Sequence, residues 1–278
     1  MTYKIIGDSC LDLTEELKKD THFMTVPLTL QVGDYQVIDD ENFNQSEFLK
    51  AVKASSECPK TACPSPEQFK EAYECEEENI FVITLSEHLS GTYNCALLAK
   101  KLYEEEHGPK NIFVMSSDSA SAGELKQALS IREWCEEGLP FEEICKRALK
   151  LKESMKTYFV LETLDTLRKN GRLNGLQAFF ATALNIKPVM GAEHGVIIKL
   201  DQARGINKAL NRMAELLVKE AGDTREKTLV IAHCNNLERA KAVKQMVSEK
   251  AEFKQIVITQ TAGVATVYAN DGGIVAAV

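Results

Sequence analysis

No apolar run in this 278-residue chain approaches the ~20 residues that a membrane-spanning helix requires. The opening Met1-Thr-Tyr-Lys-Ile-Ile-Gly also lacks a charged stretch followed by a sustained apolar one. A soluble, cytoplasmic protein is therefore expected. An excess of basic residues is missing too. Lys and Arg total 33 against 41 Asp and Glu, for a formal charge of −8, and the pI is near 5.3. That balance offers no basic stripe for a phosphate backbone, so nucleic acid is excluded as the expected partner. The eight cysteines (Cys10, Cys58, Cys63, Cys75, Cys95, Cys135, Cys145, Cys234) form no C-x-x-C pair. Most fall inside helical or strand patterns, which points to reduced packing thiols rather than a disulfide frame. The chain has no G-x-x-x-x-G-K-[ST], no H-E-x-x-H and no G-x-G-x-x-G, and Ser90 is not embedded in G-x-S-x-G. An enzyme carrying its own nucleotide or metal is disfavoured, and no cofactor is expected.

What the sequence does contain is alternation. Strand-like runs at Tyr3–Gly7, Asn79–Leu85 and Asn111–Met115 alternate with helical patterns at Gln45–Ala54, Pro66–Tyr73, Thr92–Glu106 and Gly123–Glu137. This pattern predicts an α/β protein with a parallel sheet and flanking helices. Ser65-Pro-Glu-Gln68 has a cap, a proline at the first helical position and a glutamine placed for a capping box. Lys60–Pro64 is accordingly read as an exposed loop in which Thr61 can face a ligand. Asn44-Gln45-Ser46 matches a glycosylation sequon but is read as a loop or helix start. After a helix at Phe141–Ser154, the pattern shifts to shorter strands at Lys156–Glu162, Val196–Leu200, Thr228–His233, Gln255–Gln260 and Ala265–Ala269. Helices are expected at Leu164–Lys169, Leu176–Ala183, Arg204–Ala221 and Leu237–Lys250. The length and this change of pattern predict two domains, 1–155 and 156–278, the second an α/β domain with a mixed sheet.

Three strand-like runs end in hydroxyl-rich turns: Asp8-Ser9, Ser86 to Thr92, and Asp118-Ser-Ala-Ser-Ala-Gly123. Taken singly, each is explained by helix capping, and for Ser90-Gly91-Thr92 capping and ligand binding weigh about equally. Ligands of open α/β sheets bind at the carboxyl ends of strands, so the three together predict one shared crevice suited to a small anionic head group. Arg172 and Arg204 each adjoin a glycine in a turn. They could offer a guanidinium fork to a phosphate or a partner's carboxylate, although a surface or capping role explains the spacing more simply. His233 ends an apolar strand, where a structural, hydrogen-bonded role is the expectation. The glutamates at 76–78 and 104–106 read as solvated surface and not as a metal site.

Taken together, Asp8-Ser9-x-x-Asp12-Leu13-Thr14, Thr61-x-x-Pro64-Ser65, Leu89-Ser90-Gly91-Thr92-Tyr93 and Asp118-Ser119-x-Ser121-Ala122-Gly123 resemble the DegV family of fatty-acid-binding proteins. The second half agrees in order and spacing. It contains Leu164-Asp165-x-Leu167-x-Lys169-x-Gly171-Arg172-Leu173, Leu184-Asn-Ile-Lys-Pro188, Arg204-Gly205-x-x-Lys208-Ala209-Leu210 and Ile231-Ala-His233. The resemblance covers essentially the whole chain. It implies a two-domain carrier that holds one long-chain fatty acid in a buried tunnel at or near the domain junction, with catalysis lying in a separate fatty acid kinase. By position, Thr61 and Ser90 would bind the carboxylate, Gly91 would allow close approach, and Arg172 and Arg204 would meet a phosphoryl group or the partner. The chain departs from the family pattern in two places. Ala62-Cys63-Pro64 replaces the usual Ser-Gln-Pro, and Ala269-Asn-Asp-Gly-Gly273 replaces His-Thr-Gly-Pro-Gly, so that Ala269 stands where a histidine is usual and Asp271 brings a carboxylate. Two alternatives follow: a carrier or sensor of another acidic amphiphile without phosphoryl transfer, or an acyl-processing enzyme using Ser90 or Cys63 as nucleophile.

Overall fold

A computed structural model describes residues 2–173 and 185–278. In chain order the first half runs β1 (Tyr3–Asp8), β2 (Phe23–Val26), β3 (Thr29–Val32), β4 (Tyr35–Ile38), α1 (Gln45–Ala54), β5 (Lys60–Ala62), α2 (Pro66–Tyr73), β6 (Asn79–Thr84), α3 (Thr92–His107), β7 (Asn111–Ser116), α4 (Ala122–Glu136) and α5 (Phe141–Ser154). The second half runs β8 (Thr157–Val160), α6 (Asp165–Lys169), β9 (Ile186–Glu193), β10 (Val196–Arg204), α7 (Ile206–Ala221), β11 (Thr228–His233), α8 (Leu237–Ser248), β12 (Gln255–Gln260), α9 (Gly263–Ala269) and β13 (Ile274–Ala277). The expected helix at Leu176–Ala183 lies outside the described residues.

β1, β6 and β7 are the expected parallel strands, with β2 added at the edge in the order β2-β1-β6-β7. Every residue of β6 is buried, as expected for a strand covered on both faces by helices. The second sheet is mixed, in the order β10-β9-β8-β13-β11-β12, and only β11 and β12 run parallel. The architecture is thus α/β with two separate sheets. A third, antiparallel sheet, β4-β3-β5, is built from strands of three or four residues, too short for a clear period in the sequence.

α4 is the helix that both large sheets use. Its Leu125, Ala128 and Ile131 belong to one core cluster with Ile5, Phe81 and Ile83 of the first sheet and Val230, Ala232 and Ala277 of the second. A helix covered on two sides has no solvent stripe in its first half, which is why Ala122–Ala128 is buried without interruption. The local start signals behave as their chemistry requires. Asn44 caps α1 by accepting the Glu47 amide at 3.1 Å. Ser65 and Gln68 complete the reciprocal capping box at 3.3 and 2.9 Å.

Two local expectations are corrected. Ala265–Ala269 is not a strand but the body of α9, and the reason lies 224 residues away. Asp39 accepts the Gly263 and Val264 amides at 2.6 and 2.8 Å, satisfying donors that a helix start leaves open. A Cβ on Gly263 would come within 2.5 Å of that carboxylate and 2.4 Å of Leu30, so only glycine admits the approach. Lys60–Ala62 is not a loop but the edge strand β5, with Thr61 opposite Leu30 of β3.

Asp39→Ala leaves two buried amides without an acceptor, and a loss of about 3 kcal/mol is expected in urea unfolding. A loss below roughly 1 kcal/mol would mean that water replaces the carboxylate.

Candidate functional site

A cavity lies beyond the carboxyl ends of β1, β6 and β7 and against β8, β9, β10 and β13 of the second sheet, enclosing about 840 Å³ of space free of protein atoms, its opening to solvent included. Small-molecule sites span roughly 300–1,000 Å³. Leu28, Leu85, Phe159, Leu161, Ile197 and Val264 represent its apolar walls, drawn from both halves of the chain. Its polar lining residues include Thr61, Ser90, Arg172 and Tyr268, and these four are linked. The Thr61 and Tyr268 hydroxyls are 3.1 Å apart. The Arg172 guanidinium lies 6.0 Å from the Tyr268 ring centre, and its Nε donates to the Leu89 carbonyl at 3.2 Å, next to Ser90.

The hydrogen-bond inventory suits an anion. Ser90 Oγ accepts the Thr92 amide at 3.3 Å and lies 2.8 Å from Thr92 Oγ1. If the Thr92 hydroxyl donates within that pair, the Ser90 O–H is left to donate outward. The same reasoning frees the Thr61 O–H when Tyr268 donates to it. The Ser90 hydroxyl stands at the start of α3, whose opening amides add partial positive charge. Among the described residues, the hydrogen-bond contacts of Ser90 Oγ are the amide and hydroxyl of Thr92, and that of Thr61 Oγ1 is the Tyr268 hydroxyl.

The sequence therefore located Thr61, Ser90 and Arg172 on one cavity. Gly91 and Arg204 are not among its lining residues. Gly91 sits in ordinary right-handed geometry, and a Cβ there would lie 3.8 Å from Cys63 Sγ. Arg204 is exposed at the end of β10. Ala269, at the position of the expected histidine, lines the cavity and is 4% exposed. Asp271 accepts from Asn235 Nδ2 at 3.0 Å and is exposed, so its carboxylate is held away from the cavity. Tyr268 was missed because Ala265–Ala269 read as a strand. On a helix, Val264, Ala265 and Tyr268 share a face, and all three line the cavity. His233 is structural as expected, its Nδ1 accepting the Asn236 amide at 3.2 Å.

Of the three hydroxyl-rich strand ends, two line the cavity directly, through Ser90 and through Asp118–Ser121; the first contributes Cys10. Their acids and remaining serines mainly bind the protein to itself. Asp8 accepts the Cys10 and Leu85 amides at 2.9 and 2.8 Å, Asp12 accepts the Ala262 amide at 2.6 Å and the Ser121 hydroxyl, and Ser119 pairs with Thr157 at 2.7 Å. Next to Cys10, both carboxyl oxygens of Glu124 are buried, and among the described residues neither has a hydrogen-bond partner in good geometry. Among the described residues, Asp8, Cys10 and Glu124 bring ligating atoms within 4.8 Å of one another, yet both Asp8 oxygens are already engaged by amides. Burial, reinforced by the Asp8 and Asp12 charges, holds the Glu124 carboxyl well above its usual range. Burial likewise pushes Asp8 and Asp12 up to about 7, against their hydrogen bonds.

Beyond its geometry, the chain can be placed among known proteins. The family model for uncharacterised proteins of the DegV family matches residues 2–278. The chain belongs to the DegV family. A DegV domain-containing protein of Streptococcus gordonii is 37% identical over 277 residues, covering 99% of this chain and 98% of that one. Among solved structures, a DegV family protein from Ruminococcus gnavus, refined with vaccenic acid, is 48% identical with a TM-score of 0.97 over 100% of both chains. The Fak B3 protein of fatty acid kinase from Streptococcus pneumoniae, loaded with linoleic acid, is 34% identical with a TM-score of 0.90, covering 100% of this chain and 99% of that one. The two-domain DegV fold is thereby established.

The buried acids set a pH dependence. Their folded-state pKa values lie above the ordinary carboxylate range, so between about pH 4 and about pH 7 the folded state binds more protons than the unfolded one, and stability falls as pH rises through that window. Glu124→Gln removes one such group and should raise Tm more at pH 8 than at pH 5. An equal change at both would show that Glu124 does not ionise on unfolding.

Proposed function

We propose that this protein binds one long-chain fatty acid in this cavity and presents the carboxylate, at the Thr61, Ser90, Tyr268 and Arg172 end, to a partner kinase. The observation that carries the reading is an apolar cavity whose walls come from both halves of the chain, with hydroxyls, a helix start and one arginine gathered around linked side chains. The acids bound by the Ruminococcus and pneumococcal relatives support the tail, and the kinase named for the latter supports the partner. We place the division between domains near residues 155 and 156, with the cavity at the junction. Among the described residues no helix is long and apolar enough to cross a membrane, which suits a carrier that takes the lipid out of the bilayer.

Burying a methylene is favourable by about 0.8 kcal/mol, so a tail of about fourteen contributes on the order of 11 kcal/mol before the cost of association. The tail dominates affinity. The hydroxyls orient the carboxylate and prevent the penalty of burying it unpaired. Arg204, exposed and away from the cavity lining, would serve as a partner contact and Gly91 as part of the turn that sets Ser90. The alanine at 269 favours no specific replacement for the histidine. Tyr268, one residue earlier, places a hydroxyl beside Thr61 instead.

Ser90→Ala should weaken fatty-acid binding by about 1–2 kcal/mol while leaving the fold intact. Unchanged affinity in a lipid titration would remove Ser90 from the site. Mass spectrometry of the lipids released by denaturing the purified protein should find a stoichiometric fatty acid. An empty extract combined with no uptake of added acid would overturn the carrier reading.

A further inference from the structure

The sequence departs from the family pattern at Cys63, and the structure sets that thiol 4.0 Å from the thiol of Cys95. The two belong to the segments that carry the hydroxyls of the proposed head-group site. Cys63 follows β5 two residues after Thr61. Cys95 lies in the first turn of α3, with its amide bonded to the Gly91 carbonyl at 3.1 Å, five residues after Ser90. Cys63 is exposed and Cys95 half-buried, and neither is among the cavity-lining residues, so their chemistry can change without removing a ligand contact. A disulfide needs its sulfurs about 2.05 Å apart. The remaining gap of about 2 Å is within reach of side-chain rotation on a loop that leads into α2.

We infer that Cys63 and Cys95 form a reversible disulfide that ties the β5–α2 segment to α3 and thereby slows passage of the ligand at the head-group end of the cavity. The oxidant is a peroxide. The Cys63 thiolate attacks one peroxide oxygen, the O–O bond breaks, and a sulfenic acid forms on Cys63 as the other oxygen leaves as water after taking up a proton. The Cys95 sulfur then displaces the sulfenic oxygen as a second water, forming the S–S bond. Two thiols lose two electrons and two protons, and one peroxide becomes two waters. The division of roles follows exposure and proximity: Cys63 is exposed and meets the oxidant first, whereas Cys95 is half-buried with its sulfur 4.0 Å away, in place to resolve a sulfenic acid beside it. Thiol reductants reverse the bond by exchange.

The consequence for ligand passage rests on the fatty-acid reading above, and the experiment separates the two. Full-length reduced protein is treated with hydrogen peroxide and digested without reductant. The expected product is a peptide pair joined through Cys63 and Cys95, lost on adding dithiothreitol. Hydrogen exchange over residues 61–65 should slow in the oxidised form, and release of a bound fluorescent fatty acid should slow roughly tenfold. C63S and C95S should bind the acid like the reduced protein and ignore peroxide. Sulfinic or sulfonic acid at Cys63, or a different pairing, would overturn the disulfide. A disulfide formed with unchanged exchange over 61–65 and unchanged release would overturn its closing role. Failure of the reduced protein to take up any fatty acid would defeat the carrier reading instead, while the peptide map and hydrogen exchange would still decide whether the bond forms and tightens the segment.

Discussion

The buried carboxylates of Asp12 and Asp39 organise the cavity from outside it. Each spends its charge on backbone amides near residue 262: Asp12 on Ala262, and Asp39 on Gly263 and Val264. Those bonds start α9, and α9 delivers Val264, Ala265, Tyr268 and Ala269 to the cavity wall. Without acceptors, the amides opening a helix of only seven residues would be left unpaired in an apolar interior, a cost the short helix could not offset. The same Asp12 also accepts from Ser121 at the start of α4, so one side chain coordinates the entrance of the helix shared by both sheets with the helix that lines the cavity.

Such an arrangement places polar groups according to two different needs. The acids and serines around Asp8, Asp12 and Ser119 are consumed in holding strand ends and helix starts together. Those at Thr61, Ser90 and Tyr268 keep hydrogen-bonding capacity, because hydroxyl pairs can orient their protons in either sense. A carboxylate from outside can therefore be met without breaking the frame. Asp271, the carboxylate that the departure from the family pattern introduces, is turned to Asn235 and does not line the cavity.

Part of the cavity lining was legible in the residues. The strand-to-helix turn at Ser90, the threonine at 61 and the arginine at 172 were all identified from local chemistry and from the family pattern, and all three line one cavity. Arg204 carries the same local signature as Arg172, a glycine beside an arginine in a turn, yet it stands at an exposed strand end. The difference is tertiary: Arg172 lies across Leu89 and Tyr268, contacts between residues 83 and 96 positions apart that no local pattern encodes.

The sequence by itself determined the alternating strands and helices of the first half, the capped starts of α1 and α2, and the absence of an apolar run long enough for a membrane span. Those features depend on neighbours within a few positions, through periodicity, turn geometry and side-chain-to-amide bonds. Tertiary structure alone decided that Ala265–Ala269 is helical, that Lys60–Ala62 is a strand, that α4 is shared by two sheets, and that Tyr268 joins Thr61. In each case the deciding partner lies far along the chain: an aspartate supplying acceptors, a strand supplying a ladder, a second sheet supplying an apolar face, or a hydroxyl supplying a hydrogen bond. A short apolar segment such as Val264–Ala269 fits either secondary structure until such a partner satisfies its backbone, and for that reason its conformation is a property of the folded molecule.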